Sequence, residues 1–316
     1  MTADVNRPVP RGVLVQEPCL VRTVWGAARV AAARGIEGPV GTSWEVSRHP
    51  HGESRVVVGP WAGVGLGAVV DADPAGCLGG HAMVRGAFLD AAEALSVQVH
   101  PQEDYARTHE GDHGKTETWY VVEAEPGATI VAGTSASSVE ELKAAVEDGS
   151  LDALLVRVPV SAGDVVHVPA GTLHALGAGV LAAELGSDSD VTYRFFDYGR
   201  TDASGAPREL HVEQGLAVVD PTSRPQVVGC GTGLGSGMRA SVSADGYEAL
   251  VLDVSRGLTW DPQGRPAAVM VVEGYGTASW KGGTAELATF ESAFVPAATG
   301  PVSLTGPMRL FCAVGA

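Results

Sequence analysis

The segment Ser96-Val97-Gln98-Val99-His100-Pro101 alternates polar side chains with valines, so on a strand Ser96, Gln98 and His100 point to one face. Thr116-Glu117-Thr118-Trp119-Tyr120-Val121-Val122 reads as a second strand, with Glu117, Trp119 and Val121 on a common face. A third segment, from Gly163 to His174, has the spacing G-x5-P-x-G-x2-H and ends on an imidazole. Gln98, His100, Glu117 and His174 together offer two imidazole nitrogens, a carboxylate and an amide oxygen. This mixed set suits Zn2+ and is chemically acceptable to Fe2+, Mn2+ or Ni2+. It leaves coordination positions open for water or substrate. A single histidine is more often a satisfied polar residue than a ligand, and a single glutamine more often pairs across a strand; the joint pattern carries the assignment. The other histidines, His49, His51, His81, His109, His113, His167 and His211, read as surface residues or supports of the ligands. After His211 the chain has no histidine, so one metal ion per chain is expected.

The elements that must hold these side chains are short strands. Gly 42 and Pro 19 fall between runs of Val, Ala, Thr and Leu in a chain of 316 residues, as in all-β architectures joined by tight turns. Val121-Val122-Glu123 is echoed by Val271-Val272-Glu273, and Val168-Pro169-Ala170 by Val295-Pro296-Ala297, in the same order. Two copies of one β unit are implied. The paired landmarks lie 46 positions apart in the first copy and 23 in the second, so the first carries an insertion. Ser138 and Glu141 have the spacing of a capping box for a helix there, with Leu142 and Val146 on one face. Further short helices are expected from Glu103 to Arg107 and from Arg208 to Val218, with strands and turns elsewhere. Pro221, Ser223 and Pro225 mark a boundary, dividing the chain into a metal-binding unit, 1–220, and a second β unit, 221–316.

Composition removes several classes of function. The 21 Lys and Arg against 37 Asp and Glu give a formal charge of -16, which repels nucleic acid and anionic membranes at long range. A phosphorylated small molecule is compatible with that charge, because a few local cations can override the distant field. No apolar run approaches the roughly 20 residues of a membrane span, and residues 1–11 lack the apolar stretch of a secretory leader. A cytoplasmic protein is expected. Cys19, Cys77, Cys230 and Cys312 show no CxxC spacing and read as buried reduced thiols.

The G-x5-P-x-G-x2-H spacing is that of the second cupin motif, and the chain resembles class I mannose-6-phosphate isomerases, most of all their short bacterial form. The resemblance runs over most of residues 20–212. It rests on Arg22 with Trp25-Gly26, on Thr42-Ser43-Trp44-Glu45-Val46-Ser47 with His49-Pro50, on Leu95 to Pro101, on Gly114 to Tyr120, on Val168 to Leu176, and on Ser189 to Arg194. It implies two jelly-roll barrels of the cupin kind, the second degenerate and without metal. It also implies that Gln98, His100, Glu117 and His174 hold zinc and that Lys115, Ser96 and Arg194 face the substrate. The implied reaction is interconversion of mannose 6-phosphate and fructose 6-phosphate through a cis-enediol, in a monomer or homodimer whose partner is a sugar or sugar phosphate. Lys115 is then the candidate proton carrier, and Arg194, which binds two oxygens at once, the candidate stabiliser of the enediolate. Where the family commonly has a lysine eleven residues before the glutamine ligand, this chain has Ala87; Arg85, two residues away on the same strand face, is the candidate substitute. An isomerase of an unphosphorylated or modified sugar and a non-catalytic sugar-binding cupin are the competing readings.

Overall fold

The computed structural model describes residues 9–201 and 205–316; the first eight residues, part of the segment read for a leader, lie outside them. The fold is all-β, in three antiparallel sheets. A seven-stranded sheet runs in the order Gln226–Gly229, Asp164–Val168, Glu117–Ala124, Val180–Ser187, Val84–Asp90, Thr42–Val46, Cys19–Val21. A five-stranded sheet runs Tyr193–Phe196, Val97–Val99, His174–Leu176, Thr129–Thr134, Leu155–Pro159. The two face each other across a core to which the first gives Leu89, Trp119 and Val121 and the second Ile130, Ala132 and Leu176. These are the walls of the barrel that carries the predicted ligands.

The other face of the seven-stranded sheet packs on a ten-stranded sheet built mainly from residues after 236, with Phe88, Tyr120 and Leu185 against Met270 and Phe311. The strand Val84–Asp90 is therefore buried along its whole length. Its alternation still sorts side chains: Arg85, Ala87 and Leu89 line the barrel cleft, while Phe88 joins the core shared with the ten-stranded sheet. Gly86 lies on that second face, where a Cβ would come within 2.9 Å of Met270 Sδ, so only glycine fits without displacement.

The repeat seen in the sequence is present in the strands. Glu117–Ala124 pairs with Asp164–Val168, and Ala267–Trp280 pairs with Ser292–Val295, so each echoed pair of landmarks is one antiparallel pair. Two pairings cross the 220/221 division: Leu14 pairs with Phe294, and Gln226 with His167.

Helices occupy the insertion and the edges. Val139–Asp148 lies between the strands Thr129–Thr134 and Leu155–Pro159; Ser138 Oγ accepts from Glu141 N–H, and Leu142 and Ala145 are buried. The Glu141 carboxylate accepts from Ser137 rather than closing the box on Ser138. Glu103–His109 forms where a helix is expected. The expected helix from Arg208 starts only at Val212, because His211 N–H donates to Arg194 O and ties the preceding chain to the strand Tyr193–Phe196. Leu66–Ala72 and Pro74–Leu78 are helical where only strands and turns are expected; Leu66, Val69, Val70 and Cys77 bury against the ten-stranded sheet, a tertiary effect that overrides weak local preference. Three of the four free cysteines are buried, while Cys19 is half-buried. No helix among the described residues is long and apolar enough to cross a membrane.

One buried ion pair joins the layers. Arg309 and Asp253, both closed to solvent, meet at 2.6 Å (Nε–Oδ1) and 3.0 Å (Nη2–Oδ2). Arg309 also donates to Tyr120 Oη of the seven-stranded sheet at 2.9 Å and to the carbonyls of Gly231 and Gly233 at 2.8 and 3.0 Å. All three Arg309 nitrogens are thus satisfied by a carboxylate, a phenol and the connecting loop.

Candidate metal centre and its cleft

Strand register assembles the predicted ligands. Gln98, in the centre of Val97–Val99, stands opposite His174 on one neighbouring strand and Arg194 on the other. His100 follows the same strand on the same face. Glu117 begins its strand on the facing sheet, so donors converge from both barrel walls.

The imidazoles are oriented from behind. His100 Nδ1–H donates to Val191 O at 2.8 Å, and His174 Nδ1–H donates to Thr172 O at 2.8 Å. Each ring therefore presents the lone pair of its Nε2 inward, the support that metal-ligating histidines receive. Those two nitrogens lie 3.3 and 3.1 Å from Glu117 oxygens, and all three side chains are about 1% exposed. Lone pairs face a carboxylate, a repulsive arrangement in a buried place unless a cation lies between them. Neither Glu117 oxygen has a hydrogen bond of sound geometry, although three nitrogens lie within 3.3 Å. The Lys115 ammonium leans into the cluster, 2.8 Å from Glu117 Oε2 and 3.2 Å from His100 Nε2. His100, Glu117 and His174 could hold a metal ion, and the donor set fits one.

The electrostatics agree. Burial and the neighbouring Lys115 ammonium push the His100 imidazole down to about 3, so it is neutral at any physiological pH. Burial alone would raise the Glu117 carboxyl, but the Lys115 ammonium beside it outweighs that and holds the group well below the usual range. Both are thus in the protonation state a metal requires. Gln98 Nε2 lies 3.4 Å from His174 Nε2, while Oε1 accepts from Ser96 Oγ at 3.3 Å. A half-turn of the amide exchanges oxygen for nitrogen.

The cluster opens into a cleft of about 600 Å3 that Ser96, Lys115, Arg85 and Arg194 also line. All the site residues expected from the sequence thus meet in one place. Arg85, only 3% exposed, is already engaged: it lies 2.7 Å from Glu184 Oε1 and 3.7 Å from Asp190, and its guanidinium sits 4.5 Å over the Trp44 ring. Ala87 stands between Trp44 and Glu184 in the register and brings no charge. Arg194 donates to Ser96 Oγ at 3.2 Å and to Glu209 O at 2.7 Å and has no carboxylate within ion-pair distance among the described residues.

Sequence reasoning missed Glu184. Its Oε1 lies 3.6 Å from Lys115 Nζ, and burial together with the Glu117 charge raises its carboxyl above the ordinary range. The available signal was a lone charged residue inside the apolar strand Val180–Ser187. The expectation of a single ligand set also needs revision, because His49, His51 and Asp190 form a second group near the cleft mouth. It is the weaker cation site: His51 is largely exposed, and His49 Nδ1 already accepts from His51 N–H at 3.3 Å.

No family model matches the chain. It is 41% identical over 205 residues to the mannose-6-phosphate isomerase of Streptococcus mutans, covering 63% of this chain and 65% of that one. It is 39% identical over 217 residues to the mannose-6-phosphate isomerase ManA of Bacillus subtilis, covering 66% and 69%. The sequence similarity thus spans about two thirds of each relative. The crystal structure of a mannose 6-phosphate isomerase from Bacillus subtilis superposes with a TM-score of 0.83 at 27% identity, over 96% of this chain and 99% of that one. With the buried His100, Glu117 and His174 cluster set in this barrel, these likenesses establish that the chain belongs to the mannose-6-phosphate isomerase family.

Proposed function

We propose that this chain interconverts mannose 6-phosphate and fructose 6-phosphate with one divalent ion, Zn2+, held by Gln98, His100, Glu117 and His174. The observation that carries the proposal is the buried cluster of inward lone pairs opening on a cleft that also holds Lys115 and Arg194. When bound, the ion supplies Lewis acidity toward the carbonyl and hydroxyl oxygens of the sugar. The remaining work falls to the chain. From aldose to ketose, isomerisation moves the carbon-bound proton from C2 to C1 and the hydroxyl proton from O2 to O1, so that the carbonyl passes from C1 to C2. Lys115, with Glu184 3.6 Å from its Nζ, carries the carbon-bound proton. Arg194, with no carboxylate at ion-pair distance among the described residues and preset by Ser96 and Glu209, binds the oxygen that gains negative charge. The buried floor excludes water from the exchange.

Two variants separate these roles from ligation. Arg194→Ala and Lys115→Ala are each expected to lower kcat by roughly a hundredfold, the usual effect of removing one charged stabiliser, while metal content stays near that of the wild type. Elemental analysis beside turnover decides the matter; a metal-free variant would place its residue among the supports of the ligands.

A second reading, a free rather than phosphorylated sugar, is favoured by one observation: Ala87 offers no cation, and Glu184 and Asp190 occupy Arg85. Ala87→Lys places an ammonium directly opposite Glu184 in the strand register and releases Arg85 toward the cleft. One new charge-assisted hydrogen bond should raise kcat/KM for mannose 6-phosphate relative to mannose by about tenfold or more. If the wild type already strongly prefers the phosphorylated sugar and Ala87→Lys adds nothing, the free-sugar reading fails.

A further inference from the structure

In a chain whose formal charge is -16, Arg194, Arg200 and Arg208 gather near a single buried carboxylate, Asp197, beside the metal cleft. Gln98 faces Arg194 on the neighbouring strand, and the segment 208–211 runs outside that strand, tied to it where His211 N–H donates to Arg194 O. Arg208 thus stands one element farther from the ligand cluster than Arg194, yet its side chain still lines the cleft.

Arg208 is held in place with donors to spare. Its Nη1 donates to both oxygens of Asp197, at 3.1 and 3.0 Å, while Nε and Nη2 have no partner among the described residues. The side chain keeps 21% of its surface accessible. Asp197 is also claimed by Arg200 Nη2, so one carboxylate answers two guanidinium groups and positive charge is left over. The other carboxylates nearby, Glu93 and Glu209, are largely exposed and screened by solvent. Burial, with the like charges of Arg208 and Arg200, lowers the Arg194 guanidinium from its ordinary value, so an anion beside these groups relieves a repulsion.

The opposite side of the cleft suits a phosphate less well. Arg85 is flanked there by Glu184 at 2.7 Å and Asp190 at 3.7 Å, both of which line the cleft, and Ala87 adds no charge. When the reacting carbons of a sugar lie at the ligand cluster, a phosphate on its far carbon must meet a cation away from that cluster. The geometry points to Arg208 as a specificity-determining residue that anchors the phosphate of the substrate, aimed by Asp197, with Arg194 left to the reacting end. The assignment rests on the sugar-phosphate reading of the cleft. A guanidinium fork offers a phosphate two parallel N–H donors, the geometry that favours arginine over lysine for this task.

D-Mannitol 6-phosphate carries the phosphate without a carbonyl, so its binding to metal-loaded protein is read by calorimetry apart from turnover, with D-mannitol as the uncharged comparison. The wild type is expected to bind the ester at least about tenfold more tightly than mannitol. Arg208→Ala should weaken the ester by about tenfold or more with little change for mannitol, since it withdraws charge-assisted hydrogen bonds from the phosphate alone. Arg200 still pairs with Asp197 in this variant, so no buried charge is orphaned. Arg208→Lys keeps the charge but loses the fork; it should weaken the ester several-fold and decides the matter if Arg208→Ala fails to fold. With mannose 6-phosphate as substrate, the loss in Arg208→Ala should fall on KM more than on kcat, unlike the loss in Arg194→Ala. A wild type that binds ester and polyol alike would remove both this assignment and the sugar-phosphate reading. A preference for the ester that survives undiminished in both Arg208 variants would overturn the role of Arg208 alone.

Discussion

His174→Ala protein is expected to purify without stoichiometric divalent metal and to lose turnover by roughly a thousandfold. His174 Nε2 lies 3.1 Å from Glu117 Oε1, and its other nitrogen is fixed on Thr172 O, so no neighbouring imidazole can take over the position. Loss of the ligand removes Lewis-acid stabilisation worth several kcal/mol, and about 4 kcal/mol corresponds to three powers of ten in rate. His167→Ala is the control: that ring lies on the adjoining strand, and its Nδ1 meets Thr118 Oγ1 at 3.1 Å instead of entering the cluster. It should keep its metal. Elemental analysis of the two variants reads the outcome, and a His174→Ala protein retaining both metal and turnover would remove His174 from the ligand set. The barrel itself should survive chelation, since its cores are built from apolar residues of facing sheets and do not depend on the ion as a zinc finger does.

The second large effect concerns stability. Arg309→Met is expected to lower the free energy of unfolding by about 3 kcal/mol, because it leaves the buried Asp253 carboxylate only the partly exposed Arg239, at 3.4 Å, and the Gly235 N–H, and strips donors from Gly231 O, Gly233 O and Tyr120 Oη. The double variant Arg309→Met with Asp253→Leu should recover part of the loss, since it removes the under-compensated buried charge. The pair also predicts a pH dependence. Burial raises the Asp253 carboxyl, but hydrogen bonds from Arg309 and from Gly235 N–H outweigh it and leave the group below its ordinary value. A carboxyl lowered on folding contributes stability that is complete above its unfolded value of about 4 and is lost as pH falls through the lower folded value. Urea midpoints taken from neutral pH down into the acid range should therefore fall for the wild type, with Asp253→Asn removing this part of the slope. A loss below about 1 kcal/mol in Arg309→Met would show that the pair is replaceable.

The clustering of the candidate ligands was legible because strand alternation and a fixed spacing determine where their side chains point. Ser96, Gln98 and His100 share a face for the same reason that Val97 and Val99 are buried on the other. The helix Val139–Asp148 was legible from its cap. What escaped depends on partners far apart in the chain. Arg85 reads as a free cation until the register brings Glu184 beside it, and Glu184 carries no motif of its own. Leu14–Glu17 gives no hint that it pairs with Ser292–Val295. The helices at Leu66–Ala72 and Pro74–Leu78 are short and interrupted by glycine, and packing rather than propensity sets them.

The most direct test of the proposed activity is to incubate metal-loaded protein with mannose 6-phosphate and follow fructose 6-phosphate, then repeat after chelation and again after adding back Zn2+. Conversion toward equilibrium that stops on chelation and resumes with Zn2+ is the predicted result. Absence of conversion in either direction by the loaded protein, or undiminished turnover by the metal-free protein, would contradict a metal-dependent isomerase built on His100, Glu117 and His174.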